Sequence, residues 1–354
     1  MLSTAQGLAR RGHRITLVCQ PGSELAGHAV ARGFRPETVR LRGDFDPIVI
    51  VRLYRLIRRR RIQMVCGNMD KEIRLAGIAA RMAQIPCIRR RGSDMRYPNT
   101  WRHRMVDRCL VRLIIVNSQA TRTTLLRGNP WLSPEKLRLI YNGISMPADE
   151  ASLAGGEGVA EEFGLTGAGP ILGVVGLLKE RKGHEVLFRT LPPILEEFPR
   201  LSLLVVGEGA LREELEEMTR RLGIDRHVRF SGFRNDVLRL MGAMDILVLP
   251  SKNEGFGYVM AEAMSLSKPV VASRISSIPE VVEEGRTGLL VPPGDAAALR
   301  DALLELLRDP PRARRMGAAG RRRVEQLFSL ERMIDQMEKV FGEIIGGRAF
   351  SGVP

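Results

Sequence analysis

AMDILVLPSKNEGFGYVMAEAMSLSKPVVAS, residues 243–273, decides the fold. The apolar run ILVL at 246–249 reads as a buried strand, PSKNEGFG as a turn and YVMAEAMSL as a helix. After Lys268-Pro269 the run VVAS reads as the next strand. A strand, a helix and a second apolar strand in so few residues make a parallel crossover unit, so the sheet is covered on both faces. Gly255, Phe256 and Gly257 form the turn at the helix N-terminus. Such a turn offers free amide N–H groups and the positive end of the helix dipole to an anion, for example a diphosphate. Glu254 and Glu262 lie eight residues apart. Glu262 falls on the helix, where a carboxylate can accept hydrogen bonds from sugar hydroxyls. Taken alone, the two glutamates also suit an ordinary surface turn.

Working outward, further strands are expected at 171–175, 202–206, 228–231 and 288–291, with helices between them. The spacing predicts a doubly wound α/β domain over 170–328, whose ligands bind beyond the carboxyl ends of the strands. A Gly- and Ala-rich stretch, 151–169, reads as a linker. Before it, residues 1–150 alternate in the same way. Helices are expected at 2–11, 49–61, 71–82 and 101–111, and strands at 15–19, 62–66, 86–88 and 113–116. The fold class is therefore α/β with two Rossmann-like domains. The tail 329–354 carries apolar positions at helical spacing over 330–345 and is expected to pack back toward the first domain. A Rossmann-like domain ordinarily opens on its central strand and a glycine-rich turn, whereas residue 1 already lies in the first helix. Either the true start lies further upstream or the first domain lacks that strand.

The 354 residues carry a formal charge of +15, held entirely by one half. The first 150 residues hold 28 Lys and Arg against 11 Asp and Glu, an excess of +17, and the rest hold 27 against 29. Such a field attracts anions, and an Arg-rich solvated surface would look the same. The segment VRLYRLIRRRR at 51–61 has two readings, an interfacial helix against anionic lipid or the solvated face of a sheet-covering helix. Cys19, Cys66, Cys87 and Cys109 have no metal-ligand or disulfide spacing, and no apolar stretch has spanning length. A cytoplasmic protein is expected, possible contact with an anionic membrane surface included, and without a metal site.

The stretch at 243–273 resembles the retaining glycosyltransferases of family 4, which have the GT-B fold, and the resemblance runs well beyond it. Glu254 and Glu262 match the family's E-x7-E motif. ILGVVGLLKERKGHEVLF at 171–188 is similar to the family's strand, glycine turn and Lys-Gly segment. LLVVGEGALREEL, VRFSGF and IPEVVEEGRTGLLVPPGD follow in the family's order, and KLRLIYNGI is similar to its Asn-Gly segment at Asn142 and Gly143. The resemblance implies two domains facing a central cleft and a nucleotide diphosphate sugar as donor, with no cofactor. It implies donor-binding roles for Gly176, Lys182, Gly183, Glu254, Gly255, Phe256, Gly257, Tyr258 and Glu262. Lys182 and Glu254 would be the catalytic pair, with Lys182 stabilising the leaving diphosphate and Glu254 holding the donor sugar. Glu262 would hold the ribose. Arg91, Asp94 and Asn142 are acceptor-side candidates.

The chain departs from the family pattern where IRRRGSDMRY at 88–97 takes the place of a segment that often carries a histidine, and at four single positions. Leu177 stands where the family has a cation, Ser267 where a glycine usually precedes Lys-Pro, and Ser276 and Ser277 where Gly-Gly is frequent. The function expected is metal-independent, retaining transfer of a hexose-type sugar to a lipid-linked, lipopolysaccharide or polysaccharide acceptor. The alternatives are a relative impaired by those departures and, from charge alone, a nucleic-acid-binding protein. No recognition module supports the latter, and nucleic acid is not an expected partner.

Overall fold

The computed structural model describes residues 2–41, 43–92, 97–147, 156, 158–165 and 169–347. The chain divides into two compact units, one of residues 1–143 with 330–354 and one of residues 144–329. Both are α/β, with every strand pairing parallel.

The second unit contains one six-stranded sheet, β7 (Ile171–Val175), β8 (Ser202–Val206), β9 (Val228–Gly232), β10 (Ile246–Leu249), β11 (Val270–Ser273) and β12 (Gly288–Val291). Their spatial order is β12-β11-β10-β7-β8-β9. The chain starts in the middle, moves outward through β8 and β9, then crosses back to β10 and moves out the other way. β7 and β10 therefore flank the place where the order reverses, and the loops leaving their carboxyl ends diverge to opposite faces. Five of these strands are short apolar runs, and β8, β10, β11 and β12 are buried throughout because helices cover both faces. Helix His184–Glu197 buries Val186, Leu187, Phe188, Leu191 and Ile194 in a core shared with Leu299, Leu303 and Leu306 of helix Ala296–Arg308. Truncating one of these leucines to alanine costs about 2–5 kcal/mol.

In the first unit β3 (Val65–Gly67), β4 (Cys87–Arg91), β5 (Leu113–Val116) and β6 (Leu137–Leu139) form a four-stranded sheet. β1 (Val18–Cys19) and β2 (Glu37–Thr38) form a separate pair. Among the described residues no strand joins β1 to β3. The expected strands at 15–19 and 62–66 shorten accordingly, since each has a partner on one side only. Helix Leu2–Arg10 packs against helix Leu330–Gly346 with Leu8, Ile334 and Met337 at their contact. Gly7 permits the approach, because a Cβ there would meet Ile334 Cδ1 at 2.0 Å. Arg11 pairs with Glu331, Asp335 and Glu338, successive acids on one face of the second helix.

Helix Pro47–Arg60 begins on an Asp46 cap and buries Val49, Leu53 and Ile57 against Leu75 and Ala79 of helix Asp70–Met82. It packs on that neighbouring helix and carries an arginine face. Ile48 on the helix and Phe45 just before it stay exposed, and a groove of about 880 Å³ is lined by Val39, Ile48, Val51, Arg52, Arg55 and Arg59.

Candidate functional site

Two loops meet at the carboxyl ends of β7 and β10. The first, 176–183, leads into helix His184–Glu197, and the second, 250–257, leads into helix Tyr258–Ser265. Their contact requires glycine. Gly183 has φ +68, and a Cβ on it would fall 2.0 Å from the carbonyl oxygen of Pro250. Gly176 has φ +152, and the stem of Lys182 lies over it with Cε 3.3 Å from where a Cβ would be.

Lys182 is thus laid back over β7 with little exposure, and its Nζ donates to Oε2 of Glu254 at 2.6 Å. The residues are 72 apart in sequence, and the sheet order brings them together. Both side chains are close to nine-tenths buried.

Both helices start on glycines in the left-handed region, Gly183 at φ 68 and Gly257 at φ 76, and no side chain caps either one. Elsewhere in the unit Asp295 and Asp309 cap the helices that follow them, while helices Arg212–Arg221, Val237–Gly242 and Ile278–Val281 also start without a side-chain cap. A side-chain cap is worth about 1 kcal/mol. Leaving two neighbouring N-termini without one keeps their amides, and the positive ends of their dipoles, for a ligand.

Glu262 lies on the second helix, largely buried, and its carboxylate has no partner among the described residues. Burial alone raises its pKa. His184, at the start of the first helix, is 2 % exposed with both ring nitrogens unpartnered. Burial first, then the nearby Lys182 charge, lowers its pKa from 6.5 to about 4, so the ring is neutral. Phe256 is buried and packs edge-on against Tyr258 and Phe328, with centroids 5.4 and 5.7 Å away. Only its backbone can meet a ligand. Tyr258 is half exposed.

Of the residues singled out from the sequence, Gly176, Lys182, Gly183, Glu254, Gly255, Phe256, Gly257, Tyr258 and Glu262 all lie on these two loops and the first two turns of the helix after the second. Leu177 is exposed and supplies no cation. Lys179 and Arg181, on the same loop, are exposed and have side chains without partners among the described residues. Ser267 and Ser276 both occupy left-handed backbone, at φ 58 and φ 49. A glycine would suit either position without strain, whereas a serine pays about 1–2 kcal/mol.

The acceptor-side candidates fall in the first unit. Arg91 ends β4, half buried, with its guanidinium 4.7 Å from the Tyr97 ring centroid. Asn142 is buried and accepts from Arg90 Nη2 at 3.4 Å. Asp94 lies outside the described residues.

Arg89 was not marked from the sequence and is the most deeply buried arginine among the described residues of that unit. It is 2 % exposed, paired with Asp70 and, at 3.1 Å, with Asp107. Tyr97 Oη donates to Asp107 at 2.8 Å, and Lys136 Nζ donates to the Asp107 carbonyl. Burial pushes the Asp107 carboxyl upward against the pull of Arg89 and Tyr97. At Asp70 burial acts the same way but Arg89 outweighs it, and the pKa falls. In the run IRRRG alternate side chains take opposite faces of β4. Arg89 and Arg91 turn toward Tyr97, and Arg90 turns toward Thr4 and Asn142. The missing signal was Asp107, an acid on the buried side of helix Trp101–Cys109.

The sheet order and the paired loops define a protein of the GT-B class, built of two Rossmann-like domains. Solved structures agree. HepE of Anabaena in complex with UDP is 20 % identical with a TM-score of 0.84, covering 97 % of this chain and 95 % of that one. A glycosyltransferase from Rickettsia africae is also 20 % identical, at TM-score 0.84 over 97 % of this chain and 93 % of that one.

The chain belongs to the family 4 glycosyltransferases. The family model described as Glycosyltransferase Family 4 matches residues 1–146, and that described as Glycosyl transferases group 1 matches residues 160–323. Among curated relatives, the D-inositol 3-phosphate glycosyltransferase of Corynebacterium diphtheriae is 35 % identical over 181 residues, 49 % of this chain and 42 % of that protein. The GDP-mannose-dependent alpha-(1-6)-phosphatidylinositol monomannoside mannosyltransferase of Mycolicibacterium smegmatis is 38 % identical over 170 residues, 46 % of this chain and 44 % of that protein. The chain thus spans somewhat under half the length of these relatives.

Proposed function

We propose that the protein is a retaining glycosyltransferase that takes a hexose from a nucleotide diphosphate sugar and passes it to a phosphate-bearing acceptor of the inositol phosphate or glycolipid kind. One observation carries the reading. A buried Lys182–Glu254 pair sits between two uncapped helix N-termini where the strand order reverses. When the sugar–phosphate bond breaks, negative charge grows on the diphosphate, and preorganised positive charge lowers that barrier. Lys182 and the two helix ends supply it, so no metal ion is required for the step. Glu254 then turns to the sugar hydroxyls, and the unpartnered Glu262 carboxylate takes the ribose. Front-face attack, with the donor phosphate oxygen accepting the acceptor's proton, retains the anomeric configuration and needs no separate general base.

The acceptor class is supported by the basic first half and by the printed substrates of the relatives above. The Arg52, Arg55 and Arg59 groove beside Phe45 and Ile48 suits an anionic lipid surface, which would place the enzyme at the cytoplasmic face of a membrane.

A transfer assay decides this. UDP-, GDP- and ADP-sugars would be offered with inositol phosphate, phosphatidylinositol and neutral sugars, in the presence of EDTA. The expected result is transfer to a phosphorylated acceptor with the donor's anomeric configuration kept in the product. Transfer to neutral sugars alone would refute the acceptor class, and an inverted product would refute the mechanism.

A further inference from the structure

Three serines replace glycines common in the family, and two of them stand beside the donor loop. Ser276 and Ser277 connect β11 to helix Ile278–Val281, whose Ile278 and Val281 are fully buried. The turn that carries the serines is further fixed by Ile278 N donating to the Ile275 carbonyl at 3.0 Å and Arg274 N to that of Val291 at 2.7 Å. From this fixed turn Ser276 Oγ donates to the backbone carbonyl of Glu254 at 2.6 Å, and Ser277 Oγ to that of Gly255 at 3.0 Å.

Those two carbonyls belong to the peptide units whose N–H groups are on Gly255 and Phe256. A trans peptide is planar, and its N–H points opposite to its C=O. Holding both carbonyls toward the serines therefore turns both N–H groups away from them. Neither N–H has a partner among the described residues. The same peptide units carry Glu254, whose carboxylate meets Lys182. Glycine at 276 and 277 would fit the backbone, since Ser276 has φ +49, but would leave both carbonyls without these donors.

We infer that Ser276 and Ser277 are positioning residues for the donor site: their hydroxyls set two peptide planes so that the Gly255 and Phe256 amides face an anionic or hydroxyl oxygen of the donor. The inference rests on the donor-site reading above and assigns a gain to two departures from the family pattern. The strain at Ser276 is the cost of a hydroxyl that glycine cannot provide.

The test uses the full chain and the variants S276G, S276A, S277A and S276G/S277A. S276G relieves the backbone and removes the hydroxyl, whereas S276A keeps the strain and removes it. Positioning predicts that both single variants lose the same affinity for the nucleoside diphosphate that the wild type binds, about tenfold, although S276G melts at or above the wild type and S276A below it. A structural role alone predicts that affinity follows melting temperature, so unchanged binding in S276G and S277A overturns the inference. A second readout does not depend on the donor. Amide ¹⁵N order parameters at Gly255 and Phe256 should fall from about 0.85 to below about 0.6 in the double variant, and no fall overturns the inference as well. A wild type that binds no nucleoside diphosphate removes the donor reading, while the order parameters still decide whether the serines fix the loop.

Discussion

At the carboxyl ends of its strands the second unit leaves a carboxylate and an imidazole without partners, whereas the first unit pairs its buried Arg89 with two acids of its own, Asp70 and Asp107. Beyond β7 and β10, two helix N-termini have no side-chain cap, and Glu262 and both nitrogens of His184 have no partner. On β4, the guanidinium of Arg89 is held between Asp70 and Asp107, and Asp107 is held in turn by Tyr97. Both regions bury charge in a Rossmann-like frame. A buried charge paired within its own unit fixes a fold, even where Arg89 Nε keeps no hydrogen bond, while a carboxylate and a ring left without partners keep affinity for a ligand. On this view Arg89 belongs to the first unit's stability and Lys182 to the second unit's chemistry.

The largest test of that contrast is D107A. It strands Arg89 beside a single carboxylate and should destabilise the first unit by about 3–5 kcal/mol. Denaturant unfolding would show that loss as an earlier transition. Nucleotide binding by the second unit should survive under native conditions, and its loss at full folding would break the division of roles.

A smaller effect is expected from His184. The unfolded chain takes a proton on this ring below 6.5, the folded chain only below about 4. In that window the unfolded state binds more protons, so stability is full above pH 6.5 and falls as the pH drops toward 4. The difference reaches roughly 3 kcal/mol at the foot of the window. H184N should flatten this part of the pH–stability curve, and an unchanged slope would mean that the ring does not titrate as buried.

The smallest effect runs the other way. Ser267 at φ 58 makes no hydroxyl hydrogen bond among the described residues, unlike Ser276. S267G should therefore stabilise the second unit by about 1 kcal/mol, read as a higher melting temperature, with donor affinity unmoved. A loss of affinity would show that this turn too contributes to the site.

The second unit was largely legible in the sequence because its buried parallel strands are short apolar runs bounded by Gly, Pro and charge, as at ILVL and VVAS. The glycine turns and the two glutamates marked the loops. What stayed hidden was the pairing. No local pattern says that Lys182 meets Glu254, since that contact depends on β7 and β10 being neighbours. Phe256 reads as a packing residue under the glycine turn, but that it packs on Phe328, far along the chain, was not legible. The serines read as departures only, because hydroxyls aimed at the carbonyls of Glu254 and Gly255 are a tertiary fact. In the first unit, helix Glu24–Ala31 was missed because ELAGHAVA buries only Ala29 and so lacks an apolar stripe. Three consecutive arginines gave no sign that one of them was interior.

Calorimetric titration with UDP, GDP and ADP, without added metal, on the wild type, K182A and E262A tests the central claim most directly. The account predicts that one nucleotide binds the wild type and that both variants lose most of that affinity, about 30-fold or more for K182A, as expected for a buried charge-assisted hydrogen bond. Binding by K182A and E262A at wild-type strength, or by no form of the protein, would contradict it.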